Sequence, residues 1–180
     1  MEQKTTYLFC EENSDIIQKQ RKELLKKLRK TKDKVIIITS NDDYIKFFSN
    51  PLLFRLDKKQ MNISIPEDCK IENGFDLNHQ LCIFKLTSKH MEHKEDSAYN
   101  IITEAWNLAK KNPDNNIWLV IDNAELLIED MINSLCIKSY LKDADKYHLY
   151  FTFISKKMDL FLSRNIINEE KDVIINEIKK

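Results

Sequence analysis

Between an apolar pentapeptide, TYLFC, and an amphipathic helix runs the octapeptide Cys10-Glu11-Glu12-Asn13-Ser14-Asp15-Ile16-Ile17, where many α/β proteins seat a phosphate. A phosphate loop uses glycines so that backbone N–H groups can close on the anion, a lysine for the β- and γ-phosphates, and a hydroxyl for Mg²⁺. In the register G-x-x-x-x-G-K-[ST], Cys10 and Asp15 stand at the glycines, Ile16 at the lysine and Ile17 at the hydroxyl, with Asn13 and Ser14 between. The whole chain holds one glycine, Gly74. Glu11, Glu12 and Asp15 bring three carboxylates to the place of the anion, where they suit the helix dipole, and Ser14 or Asp15 supplies an N-cap. These residues fit a degenerate phosphate loop; they fit as well or better a capped helix that follows a strand.

A second pair with chemical potential, Asp122-Asn123, closes the apolar run WLVID. A strand-end aspartate can hold Mg²⁺ through substrate phosphates, and without phosphates it is better read as a cap for the next helix. His90 and His93 form an H-x-x-H pair in a polar stretch with no third strong ligand, so solvent exposure is expected and no metal site. Cys10, Cys69, Cys82 and Cys136 are widely spaced and read as reduced thiols; Cys10, beside Glu11 and Glu12, is a poor thiolate. From Lys19 to Lys34 the chain has nine basic and two acidic residues. Lys26, Lys27, Arg29 and Lys30 are the candidates there for phosphate contacts to DNA, against the simpler reading of a solvated outer face.

These groups must be placed by an ordinary core. With 180 residues, 42% hydrophobic and 32% charged, the chain suits one globular domain spanning 1–180. Lys+Arg and Asp+Glu both number 29, so any electrostatic recognition is local. No apolar run approaches a membrane span and the first residues lack a signal-peptide layout, so a cytoplasmic location is expected. Strands are expected at Thr6–Cys10, Val35–Thr39, Leu52–Leu56, Cys82–Leu86, Trp118–Asp122 and His148–Ile154. VIII and WLVI do not alternate, which is the pattern of strands covered on both faces. Helices are expected at Ile16–Arg29, Ser97–Lys110 and Ala124–Leu141. The last is striped by Leu127, Ile128, Met131, Ile132, Leu135 and Tyr140. Residues 57 to 81 and 87 to 96 read as surface loops.

The order of segments resembles the motor-ATPase domain of the conjugative-transfer (type IV secretion) ATPases, a RecA-like P-loop family. VIIITSNDDY (35–44) is similar to the family's strand ending in a D-P-E-G-E-Y-like signature, keeping Asp43 and Tyr44 with Thr39 at the acidic position. MNISIPED (61–68), FDL (75–77) and NIITEAWNLAKKNPDNNIWLVIDNAELL (100–127) resemble its N-P-rich segment, next strand entry and helix plus Walker B segment. LKDADKYHLYFTFISKK (141–157) resembles the helix and strand carrying an Arg-Lys pair and Thr-Gln. The resemblance spans roughly residues 7 to 174. It implies an α/β, three-layer RecA-like P-loop NTPase fold, with a mainly parallel sheet and helices on both faces. TYLFC and WLVID are expected to be neighbours in that sheet.

The resemblance also implies what is lost. Asp122 matches the Walker B aspartate, while Asn123 replaces the glutamate that polarises water and, unlike it, cannot accept a proton. Asp145-Lys146 and Ser155-Lys156 stand where the arginine and the polar sensor belong. The expectation is a catalytically dead relative, not an enzyme, without cofactor or metal, acting on a protein partner in a conjugation or secretion machine of a mobile element. A monomer or dimer is expected rather than the hexamer of active relatives. Two other readings stay open: a divergent ATPase recruiting Lys19 or Lys156, and a DNA-binding accessory protein using the basic helix.

Overall fold

A strand that is apolar on both sides must be covered on both sides, and the three most apolar runs of this chain lie at the centre of its sheet. The computed structural model describes residues 5–12, 14–49, 61–64, 79–86, 94–168 and 171–177, with side chains at 61–64 and 94–97 left aside. In chain order the elements are β1 (Thr6–Phe9), α1 (Asp15–Lys30), β2 (Lys34–Thr39), α2 (Asp43–Ser49), β3 (Met61–Ser64), β4 (Leu81–Lys85) and α3 (Lys94–Lys111). They continue with β5 (Ile117–Asp122), α4 (Glu125–Glu129), α5 (Met131–Asp143), a 3₁₀ turn (Asp145–Tyr147), β6 (Leu149–Ser155), α6 (Met158–Ser163) and β7 (Val173–Asn176). Among the described residues seven strands form one sheet in the order β3-β4-β2-β5-β6-β1-β7, and every pairing is parallel. Every residue of β5 and β6 is buried.

Strand alternation divides the core into two layers. Tyr7, Phe9, Ile36, Ile38, Leu119, Ile121, Phe151 and Phe153 face α3, α4, α5 and α6. Leu8, Val35, Ile37, Trp118, Val120 and Ile154 face α1 and α2. The protein is therefore α/β with helices on both faces of a parallel sheet. In α1 the 3.6-residue period buries Ile17, Arg21, Leu24, Leu25 and Leu28. Ser14 proves to be the cap, its Oγ accepting from the Ile17 N–H at 3.3 Å, and Lys27, Arg29 and Lys30 complement the dipole at the other end.

Several expectations need correction. TYLFC and WLVID are not neighbours: β1 pairs with β6 and β7, and β5 pairs with β2 and β6. The strand between them is β6, whose seven residues are all buried. The helix expected over Ala124–Leu141 breaks at Asp130, which is extended (φ −72°, ψ 128°) and caps α5 by accepting from the Asn133 N–H at 2.7 Å. A side chain that caps a new helix competes with continuation of the old one. The break turns the expected stripe apart: Leu127 and Ile128 are buried, while Met131, Ile132 and Leu135 are 61%, 72% and 58% exposed. Met61–Ser64, read as loop, is strand β3, and α3 starts at Lys94, inside a stretch read as loop. Helices α2 and α6 and strand β7 were not anticipated. The expected strand Leu52–Leu56 and the FDL segment lie outside the described residues, as do Asn13, Cys69, His90 and His93.

Candidate functional site

Because the sheet is parallel, the turns after β1, β2, β5 and β6 all leave from one edge, the edge at which open α/β sheets bind ligands. The turn after β1 is held by the Cys10 N–H, which donates to the Ser155 carbonyl at 3.1 Å, and the turn after β5 by the Ala124 N–H, which donates to the Ile154 carbonyl at 2.9 Å. Strand β6 thus ties together the two segments that the sequence singled out.

At the centre of this edge lies Asp122, 7% exposed. Its Oδ2 accepts from the Thr39 hydroxyl at 2.9 Å and from Asn41 Nδ2 at 3.0 Å, and its Oδ1 accepts from the Asn123 N–H at 3.1 Å. Burial raises its pKa above the usual carboxylate value; Thr39, the nearby Arg21 and the Asn123 N–H oppose that shift. Both oxygens are already engaged by protein donors. Among the described residues no group of three His, Cys, Asp or Glu side chains could hold a metal ion.

Asn123 adopts a left-handed conformation, φ 57°, which asparagine tolerates better than most residues. Its Nδ2 donates to Ser40 Oγ at 3.0 Å. Asn123 is thereby a strut between the turns after β5 and β2. Asn41 Oδ1 accepts from the Asp43 N–H at 3.1 Å, opening α2 with a local side-chain turn. Tyr44, fully buried, donates to Gln20 Oε1 at 2.8 Å, and Arg21 lies over its ring at 4.4 Å. Arg21 is itself 3% exposed, reaches Asp43 at 3.7 Å and leaves its Nε without a partner.

The turn after β1 brings Cys10 and Ile17 beside Asp122 and Asn123, while Ser14 caps α1 and Asp15 and Ile16 face away along it. Ile17, at the hydroxyl position, is 4% exposed in the core beneath α1, and Ile16, at the lysine position, lines a groove on the α1 side of the sheet. Cys10 is buried, and burial pushes its thiol pKa up. Lys156, from the end of β6, donates to Glu12 at 3.0 Å. The hollow lined by Cys10, Glu12, Asp122, Ser155 and Lys156 measures about 10 Å³, room for one water at most. No family model, curated protein or solved structure matches the chain.

Other predicted residues scatter. Asp145 and Lys146 precede β6 and so stand at the opposite edge of the sheet from Ser155 and Lys156, too far away to act with Asp122. In the basic run, Lys26, Arg29 and Lys30 are exposed, with Lys26 donating to Glu23 at 2.6 Å. Lys27 is turned inward, its Nζ 3.0 Å from the centroid of the Trp118 ring. Burial pushes its pKa down to about 8, against the pull of Asp33 and Glu23. Lys34 donates to the His79 carbonyl at 2.5 Å. The run is therefore one exposed face and one inward face, and the inward charges are occupied. Among the described residues no helix is long and apolar enough to cross a membrane.

Proposed function

We propose that this protein is a non-catalytic relative of the RecA-like conjugative-transfer ATPases, a structural or regulatory component of a conjugation or type IV secretion machine that acts through protein contacts. The observation that carries this reading is the small hollow beside the turn after β1. Lys156 and Glu12 meet across it and about 10 Å³ is left, whereas small-molecule sites measure roughly 300–1,000 Å³. The anion in this turn belongs to the protein itself. The other turns of the edge support the same reading, since Thr39, Asn41, Ser40 and Asn123 fasten Asp122 to its neighbours.

The assignment to a transfer machine rests on the order of segments described above; the separation of β1 from β5 removes the adjacency it was expected to include. Action through contacts is supported by Met131, Ile132 and Leu135, which leave an apolar face on α5 exposed. Phosphate release from ATP–Mg²⁺ tests the absence of catalysis. The expected rate equals that of buffer and is unchanged by Asp122→Ala in the fraction that remains folded. Hydrolysis that Asp122→Ala abolishes would show a working enzyme instead.

A further inference from the structure

We propose that the groove between α1 and the sheet is a binding site for a straight-chain carboxylate, with the carboxylate held by Lys27 and Thr152 and the alkyl chain laid over Leu8, Leu24 and Ile175. The groove measures about 490 Å³, within the roughly 300–1,000 Å³ of small-molecule sites. Its wall is α1 from Asp15 to Lys27, and its floor is the face of β5, β6, β1 and β7 that carries Trp118, Thr152, Leu8 and Ile175. Strand pairing sets Leu8 directly beside Ile175, and Leu24 closes over them from α1, so the floor is a continuous aliphatic strip. Trp118 is the one aromatic side chain among the lining residues, and Lys27 covers its ring face. That leaves a place for an alkyl chain and none for a stacked ring.

The polar groups set an anion at one end. The Trp118 ring engages one side of the Lys27 ammonium, which carries three donors. The two acids that act on Lys27 are engaged elsewhere: Glu23 accepts from Lys26 at 2.6 Å, and Asp33 accepts from Asn116 Nδ2 at 3.1 Å and Trp118 Nε1 at 3.0 Å. Among the described residues Lys27 forms no ion pair. A half-buried ammonium short of counter-charge is stabilised by an incoming anion. Thr152 is 9% exposed and lines the groove, yet its hydroxyl has no hydrogen-bond partner among the described residues. It lies one pleat along β6 from Tyr150, whose ring rests against Trp118 at 4.8 Å between centroids. A carboxylate at this end satisfies both donors. Lys19 also lines the wall, but it is exposed and stands between Asp15 and Glu23 at four-residue spacing, which offsets its charge. Asp15 and Glu177 line the far end and repel an anion there, so the ligand has one orientation.

Isothermal titration of the full chain with hexanoate, octanoate and decanoate tests this. Saturable binding is expected, with Kd falling about two- to fourfold for each added methylene as apolar surface is buried. The uncharged 1-octanol is expected to bind about tenfold more weakly than octanoate. Lys27→Met keeps the stem and removes the charge, and Thr152→Val keeps the shape and removes the hydroxyl; each is expected to raise the octanoate Kd about tenfold. Lys30→Met, at an exposed position outside the groove, is expected to leave it unchanged. No saturable binding of decanoate at millimolar concentration overturns the proposal, as does a Kd independent of chain length or octanol that binds as tightly as octanoate. A Kd that Lys27→Met or Thr152→Val leaves unmoved also overturns it. Far-UV circular dichroism checks that each variant is folded, and the chain-length series and the alcohol decide the outcome on the wild-type protein alone.

Discussion

Phe161→Ala is expected to destabilise the protein by about 3–5 kcal/mol, the range for removing a large aromatic side chain from a packed core. Phe161 is fully buried and is the only buried residue of the six-residue helix α6. Its ring meets three others edge to face: Tyr7 at 5.9 Å, Phe9 at 5.4 Å and Phe153 at 5.9 Å between centroids. Such contacts add roughly 0.5–1.5 kcal/mol per pair beyond the area buried, and once the ring is gone only the partly buried Met158 and Leu160 of α6 still pack on this core. At about 2–4 °C per kcal/mol for a chain of this size, the melting temperature is expected to fall by roughly 6–20 °C. Phe161→Leu keeps most of the volume and is expected to recover more than half of the loss. Thermal unfolding that moves by less than about 2 °C for the alanine variant would mean that α6 does not pack on β1 and β6 as described.

Asp122→Ala is expected to cost about 3 kcal/mol, and the loss is structural before it is chemical. Removing the carboxylate strands three donors, the Thr39 hydroxyl, Asn41 Nδ2 and the Asn123 N–H, and leaves the buried Arg21 with Asp43, at 3.7 Å, but without the charge of Asp122. Asp122→Asn is not a rescue, because its amide would turn a donor toward one of those donors; a loss of about 1–3 kcal/mol is expected. The direction with pH follows from the raised pKa of Asp122. Over the interval between its unfolded and folded pKa values, the folded state holds more proton than the unfolded state. Stability from this residue is therefore greatest below the unfolded value of 3.8 and declines as pH rises through the folded one. The margin of wild type over Asp122→Ala, measured by denaturant unfolding, is expected to be larger at the acidic end of the stable range than at neutral pH. An aspartate whose role is to hold a metal–nucleotide complex would instead leave the unfolding midpoint almost unmoved when replaced.

The strands at the centre were legible because VIII, WLVI and LYFTFI leave no face for water, and α1 because its apolar period begins just after a capping serine. Short elements were not: α6 is six residues long with Phe161 as its one fully buried side chain, and β7 is four residues long. The break at Asp130 was hidden because the apolar period continues unbroken from Leu127 through Leu135, although Asp130 is itself a capping residue. At the site, the aspartate and asparagine were named from the sequence but their partners were not. Thr39 and Asn41 lie 83 and 81 positions from Asp122 along the chain, and only the sheet brings them together. Arg21 was masked by the basic run, yet it falls at a core position of α1, between Ile17 and Leu24, and that spacing was the available signal. Lys27 was grouped with exposed charges because composition does not distinguish an ammonium in water from one lying on the Trp118 ring.

The central claim is that the turn after β1 has no place for a triphosphate. Isothermal titration of the full chain with ATP and Mg²⁺ measures this most directly. No saturable heat up to millimolar nucleotide is the predicted result. Binding at micromolar affinity or tighter, weakened by Lys156→Ala, would contradict it.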